Sequence, residues 1–123
     1  MFTVLRDRYW ICRASKDSVS EICVKDVLAV VYDIAGTVTI VSKRAVGECI
    51  GPYYVLASEV LDPSTVGFLA KVSTVLASAD VPVMVYSSIE RDYILVPCNT
   101  FEKAVQILQH SGFIVQYENQ QLS

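Results

Sequence analysis

Residues 62–70 carry groups that could bind a small charged molecule. The segment begins with Asp62, contains Gly67 and leads into a predicted helix. The first N–H groups of a helix have no intrahelical partner, so they favour a carboxylate. Inside a helix, a glycine costs about 1 kcal/mol relative to alanine. Gly67 therefore indicates either a place where a ligand approaches the bare backbone or a site of close packing.

Residues 87–96 carry the complementary groups. Ser87 and Ser88 end one predicted strand, and Asp92 begins the next. Two hydroxyls and a carboxylate can together hold a polar, zwitterionic ligand by hydrogen bonds. The same residues would also be ordinary in a solvated hairpin. Both interpretations require the two segments to be placed by the surrounding elements.

The second half of the chain shows a regular succession of predicted elements. A strand at 53–61 precedes a helix that we expect to begin with Asp62 as N-cap and Pro63 in its first turn, and to end near Asp80. Strands are expected at 82–88 and 92–96. The apolar residues of the predicted helix recur at steps of three and four and form a stripe along one face. They are Val66, Leu69, Val72, Leu76 and Ala79.

A second predicted helix completes this half. The residues of this helix that we expect to face inward are Phe101, Ala104, Val105 and Leu108. Asn99 or Thr100 is expected to cap it, with Glu102 in the capping-box position, and Gly112 to follow its last turn. A strand at 113–117 comes last. The order from residue 53 is thus β, α, β, β, α, β, which is the ferredoxin-like unit of α+β proteins.

The first half resembles an incomplete version of the same unit. We expect a strand at 3–13, a short helix at 17–26 and a hairpin of strands 27–34 and 37–42. An irregular stretch at 44–52 contains Gly47, Gly51 and Pro52. We therefore predict a degenerate half at 1–52, a complete domain at 53–118 and a polar tail at 119–123, with helices on one face of antiparallel sheets.

Composition excludes several classes of protein. The 123 residues are 53% hydrophobic, which argues against a disordered chain, yet no apolar run approaches the roughly 20 residues of a membrane span. We expect neither a signal peptide nor a membrane partner. The net charge is −3 and basic residues are not clustered, so we expect no nucleic-acid partner.

The cysteines and the single histidine suggest no catalytic or metal centre. Cys12, Cys23, Cys49 and Cys98 include no C-x-x-C pair, and we expect reduced thiols in a cytoplasmic protein without cofactor or metal. His110 lies at a predicted helix end with no cysteine beside it, as suits the helix dipole. We therefore expect no enzymatic activity.

From residue 53 to 115 the sequence resembles an ACT domain. The resemblance rests on Val66-Gly67-Phe68-Leu69-Ala70 at the helix entry, Val81-Pro82-Val83 in the next strand and Ser87-Ser88 in the turn. The run from Asp92 to Val96 is similar to the tandem-ACT subfamily of cytosolic amino-acid sensors. Residues 9–13 and 38–41 resemble that subfamily's first strands more weakly.

The resemblance implies a non-catalytic sensor that binds an amino acid and pairs side by side as a homodimer. It assigns N–H groups near Gly67 to the ligand carboxylate, Asp92 or Asp62 to its ammonium group, and the serines to orienting hydrogen bonds. The residues implied in binding are Asp62, Val66, Gly67, Phe68, Ser87, Ser88 and Asp92.

Two alternative functions are compatible with the same predicted fold. One is an interaction module that has lost ligand binding, with tyrosines such as Tyr53 and Tyr86 at an interface. The other is an RNA-recognition motif, which shares the element order. Residues 92–96 lack the basic-glycine-aromatic run of that motif, so RNA binding is not expected.

Overall fold

The computed structural model describes residues 1–118, and the predicted polar tail at 119–123 lies outside them. The chain divides into two compact units. We call Asp7–Tyr53 the inserted unit, and Met1–Arg6 together with Tyr54 onward the split unit. The fold is mixed α+β with largely antiparallel strands. Within residues 1–118, no helix has the length and apolarity needed to cross a membrane.

The split unit follows the predicted βαββαβ order. Its strands are β1 (Phe2–Val4), the end of β5 (Glu48–Ser58), β6 (Met84–Ser87), β7 (Asp92–Pro97) and β8 (Val115–Tyr117). Helix α1 (Phe68–Ser78) joins β5 to β6, and α2 (Phe101–His110) leads from β7 to β8 after a 3-10 turn at Cys98–Thr100. Gly112 has φ +98° just after α2, which confirms its predicted role.

Strand β1 is the unexpected member of this sheet. The strand order is β6-β7-β5-β1-β8, with β1 antiparallel to β5 and parallel to β8. Phe2 lies opposite Ser58 on one side and Val115 on the other. The single predicted strand at 3–13 is therefore wrong. The charged run at residues 6–8 is exposed and ends β1, and β2 (Tyr9–Ala14) belongs to the inserted unit.

The core of the split unit lies between its sheet and its two helices. Helix α2 buries Phe101, Ala104, Val105 and Leu108, as its periodicity predicts. Helix α1 buries only Val72 and Leu76. Ala79, at the end of α1, is partly buried against this core. Two predicted members of the α1 stripe are not buried, because Val66 precedes the helix and is 93% exposed and Leu69 is 42% exposed.

The inserted unit contains strands but, within its described residues, no α-helix. Its strands β2, β3 (Val27–Tyr32), β4 (Val38–Ser42) and the start of β5 form an antiparallel sheet in the order β3-β4-β2-β5. The predicted hairpin of β3 and β4 is confirmed. The predicted helix at 17–26 is instead two 3-10 helices, Lys16–Glu21 and Val24–Asp26, because residues 22 and 23 are extended.

Strand β5 begins earlier than predicted. It starts at Glu48 and runs through Gly51 and Pro52, which the sequence placed in an irregular stretch. A register shift between Tyr9 and Ile11 on β2 accommodates these residues, and pairing resumes at Tyr9 opposite Tyr53. The strand also ends earlier than predicted, at Ser58 rather than residue 61.

The expectation of four reduced cysteines is wrong. Cys12 on β2 and Cys49 on β5 are directly paired in the antiparallel register and form a disulfide. Strand pairing brings together two residues that are 37 positions apart in sequence. Cys23 and Cys98 lie outside the disulfide, and Cys23 is exposed.

Candidate functional site

A cavity of about 280 Å³ lies in the split unit between the start of α1 and the turn joining β6 to β7. The Leu61 N–H donates to the Glu90 carbonyl at 2.7 Å, which fastens the loop before α1 to that turn. The Asp92 N–H donates to Ser58 Oγ at 3.0 Å. These two bonds hold together the segments in which the sequence placed complementary chemistry.

The start of α1 is open toward this cavity. Gly67 occupies the N-cap position with φ +88°, and the Lys71 N–H donates to the Gly67 carbonyl at 3.0 Å as the first helical bond. The helix has no side-chain cap and no acidic residue in its first turn. Its leading N–H groups therefore form a site that favours an anion, because the helix dipole is positive at this end.

Asp62 does not cap the helix, contrary to the prediction. Its Oδ1 accepts hydrogen bonds from the Ser64 hydroxyl at 2.6 Å and the Ser64 N–H at 2.8 Å. The Thr65 N–H donates to the Asp62 carbonyl at 2.8 Å, so residues 62–65 form a turn before the helix. The bonds from Ser64 lower the pKa of the Asp62 carboxyl, which is therefore ionised at neutral pH.

The opposite wall is a turn shaped by serine. Ser88 Oγ accepts the N–H groups of Glu90 and Arg91, each at 3.2 Å. Ser87 Oγ donates to Asp92 Oδ1 at 2.6 Å. The two serines therefore already have partners within the chain, and Ser87 orients the Asp92 carboxylate.

The structure brings most of the predicted binding residues to one cavity. Its lining includes Asp62, Gly67, Phe68, Ser88 and Asp92. Val66 and Ser87 are not part of that lining. Whether any of these residues binds a ligand stays a prediction.

Several lining residues were absent from the prediction. They include Leu61, Ile89, Glu90 and Arg91. The three turn residues lie between Ser88 and Asp92 in sequence, which is a signal that could have revealed them. Leu61 is joined to the turn by its backbone bond to Glu90, which no local sequence pattern indicates.

The chemistry of this site suits binding of a polar ligand. Asp62, Glu90 and Asp92 supply carboxylates, Arg91 supplies a guanidinium group, and the helix start supplies N–H donors. Together they can hold both ends of a zwitterion. In the described residues, no cluster of three or more histidine, cysteine or acidic side chains could hold a metal ion.

Residues 55–110 match the family model of the ACT domain. The matched segment contains every residue that lines the cavity. A search of curated proteins finds no match.

Solved structures with a similar fold cover nearly the whole chain. The Agobacterium tumefaciens protein Atu0741 has a TM-score of 0.77 at 18% identity, with 99% of this chain and 96% of that chain covered. The Vibrio cholerae protein VC0802, described as of unknown function, has a TM-score of 0.70 at 19% identity, with 89% and 87% covered. At these identities the likeness shows the fold alone.

The open space around Gly67 gives a specific prediction. A Cβ atom at this position would meet nothing within 4 Å, so alanine would not clash. Its positive φ would still cost about 1–2 kcal/mol for an L residue. We expect Gly67→Ala to lower the free energy of unfolding by that amount in urea denaturation.

Gly36 offers a matched control. It has φ +95° with equally open surroundings, and it lies in the inserted unit far in sequence from the site. Gly36→Ala should therefore cost a similar amount of stability. A Gly67→Ala loss well above 2 kcal/mol, with Gly36→Ala as expected, would mean that Gly67 serves packing rather than an open site.

Proposed function

We propose that the split unit is a regulatory module of the ACT type that binds a free amino acid without catalysing a reaction. The observation that supports this most is the cavity itself, which joins an uncapped helix start to a turn bearing acids. The match to the ACT domain supports a ligand-binding regulatory role for the segment.

In this proposal, the ligand carboxylate binds the N–H groups at the start of α1. The ammonium group binds Asp92, whose carboxylate is oriented by Ser87, or Asp62 across the cavity. Glycine at position 67 allows the ligand to approach the backbone, because no side chain stands between them. The side chain of the ligand then faces the loop and the turn.

The inserted unit is, in our proposal, a degenerate second ACT-like half of a tandem arrangement. Its strand order, β3-β4-β2-β5, is the order of a ferredoxin-like unit, with 3-10 turns where the first helix would be. The segment between β4 and β5 is too short for a second helix. The similar structures cover 99% and 89% of this chain, so both halves have counterparts in their fold.

We also propose that the protein is a cytoplasmic homodimer. Dimerisation rests on the resemblance to paired ACT domains. The disulfide argues against the cytoplasm, because cytosolic proteins rarely keep structural disulfides. The cytoplasmic proposal therefore requires this disulfide to be reduced or redox-responsive there.

A second candidate function is protein interaction without a small ligand. Val60, Val66 and Ile89 are 64%, 93% and 87% exposed on the loop and the turn beside the cavity. Apolar side chains in such positions suit a protein partner. Protein interaction becomes the favoured function if no amino acid binds.

Thermal denaturation in the presence of each of the twenty amino acids tests the proposal. A ligand at a hundred times its Kd stabilises the folded state by about 2.7 kcal/mol. We expect one or a few amino acids to raise Tm by several degrees. Asp92→Ala should abolish that shift and remain folded, because it removes the partner of the ammonium group.

Asp17→Ala is the control for charge, since Asp17 is an exposed acid of the inserted unit. It should leave the shift unchanged. If no amino acid raises Tm, the binding proposal is wrong. If every shift persists both in Asp92→Ala and in a variant that places a bulky residue at Gly67, amino acids bind elsewhere and the cavity is the wrong site.

A further inference from the structure

The split unit has a second cavity, of about 470 Å³, that shares no lining residue with the first. It lies at the point where β5 enters the split unit, at Tyr54, whereas the first cavity begins at Leu61, beyond the last residue of the strand. The volume is in the usual range of small-molecule sites. The lining residues used below are Arg6, Tyr54, Cys98, Phe101, Glu102 and Tyr117.

Aromatic rings form much of this second cavity. The rings of Tyr54 and Phe101 have their centroids 4.5 Å apart, and Phe101 is largely buried. Tyr117, a third aromatic residue of the lining, is 60% exposed and so is accessible to a ligand. The flat aromatic ring of a ligand can stack against such side chains.

Two opposite charges stand beside these rings. Neither the Arg6 guanidinium nor the Glu102 carboxylate forms an ion pair with the residues that the structure describes. The Arg6 N–H donates to Glu118 Oε1 at 2.7 Å, which fixes the backbone at this point. Glu102 lies in the first turn of α2. A cation and an anion that have no ion-pair partner among residues 1–118, on one cavity lined by aromatic residues, suit a ligand that carries both charges.

We propose that this cavity is a second ligand site for a small aromatic zwitterion, a ring bearing both a carboxylate and an amine. Arg6 binds the carboxylate through its planar fork of donors, and Glu102 binds the amine. Tyr54 and Tyr117 cover the ring. The proposal does not depend on the function of the first cavity, because the two sites share no residue.

Cys98 makes the proposal directly measurable. It lines the cavity, whereas Cys23, the other described cysteine outside the disulfide, is exposed in the inserted unit. Iodoacetamide labelling of both thiols is followed by peptide mass spectrometry, with tryptophan as the probe ligand. At ten times its Kd, tryptophan occupies about 90% of sites, so labelling of Cys98 should slow about tenfold. Labelling of Cys23 should not change.

Variants and analogues identify the groups responsible. Arg6→Gln should weaken protection of Cys98 about tenfold or more, because a charge-assisted bond is lost. Arg8→Gln is the matched control, since Arg8 is an exposed arginine two residues away that does not line the cavity. Tryptamine, which lacks the carboxylate, and indole-3-acetate, which lacks the amine, should each protect less than tryptophan.

Three results would overturn the proposal. One is that tryptophan slows the labelling of Cys98 and Cys23 equally, or slows the labelling of neither. Another is full protection in Arg6→Gln. The third is loss of protection in Asp92→Ala, which would place tryptophan in the first cavity. Retained protection in Asp92→Ala supports a separate site even if no amino acid binds the first cavity.

Discussion

Replacing Phe2 with alanine should lower the free energy of unfolding by about 3–5 kcal/mol. Phe2 is fully buried, and its ring contacts those of Phe68 and Phe113 at centroid distances of 5.8 and 5.6 Å. It also belongs to β1, which lies between β5 and β8. The substitution therefore leaves a cavity in the core and weakens the strand that joins two others.

Urea denaturation measures this loss, with Tyr117→Ala as a control. Tyr117 is an aromatic residue on the neighbouring strand β8 but is 60% exposed, so its removal should cost much less. Equal and small losses in both variants would mean that β1 does not pack as described. Because Phe68 begins α1 and lines the first cavity, Phe2→Ala should also weaken amino-acid binding there.

The role of β1 shows where sequence reasoning stops. The sequence predicts β1 and β2 as one continuous strand, because both segments are apolar and only a short charged run separates them. Pairing with β5 and β8 depends on contacts between residues more than fifty positions apart. Local patterns carry no information about such pairings, whereas the periodic burial on α2 is local and was predicted correctly.

The start of α1 was predicted wrongly for a different reason. Asp62 and Pro63 form a strong local signal for a helix start, but the Asp62 carboxylate binds Ser64 two residues on. Aspartate favours such turns as readily as helix caps, so the signal alone does not decide between them. The helix begins only after Gly67, whose positive φ turns the chain.

The candidate site was predictable as two segments and not as a cavity. Segments 62–70 and 87–92 could be identified from their residue types, because hydroxyls, acids and a glycine lie near predicted helix and strand ends. Their closeness depends on the bond between Leu61 and Glu90 and on Ser58 accepting the Asp92 N–H. The first bond joins two backbone groups and the second joins a backbone N–H to a side-chain hydroxyl, and both depend on how β5 and β7 are placed, which the sequence does not specify.

Removing the disulfide should have an effect of comparable size to that of Phe2→Ala. Cys12 and Cys49 close a loop with a sequence separation of 37. The loop-entropy relation gives roughly 4 kcal/mol of stabilisation for a loop of this length. We expect the double variant Cys12→Ala/Cys49→Ala to unfold at a correspondingly lower urea concentration, and reduction of the native protein with dithiothreitol to act in the same direction.

Cys23→Ala is the control, because Cys23 is exposed and outside the disulfide. Thiol titration of the denatured, unreduced protein should find two reactive thiols, whereas four would contradict the disulfide. The same titration on protein trapped by acid in intact cells tests the proposed location. The cytosol keeps most thiols reduced, so four thiols there with two after purification would make the disulfide redox-responsive. Two thiols in both samples would instead favour an oxidising compartment and contradict the cytoplasmic proposal.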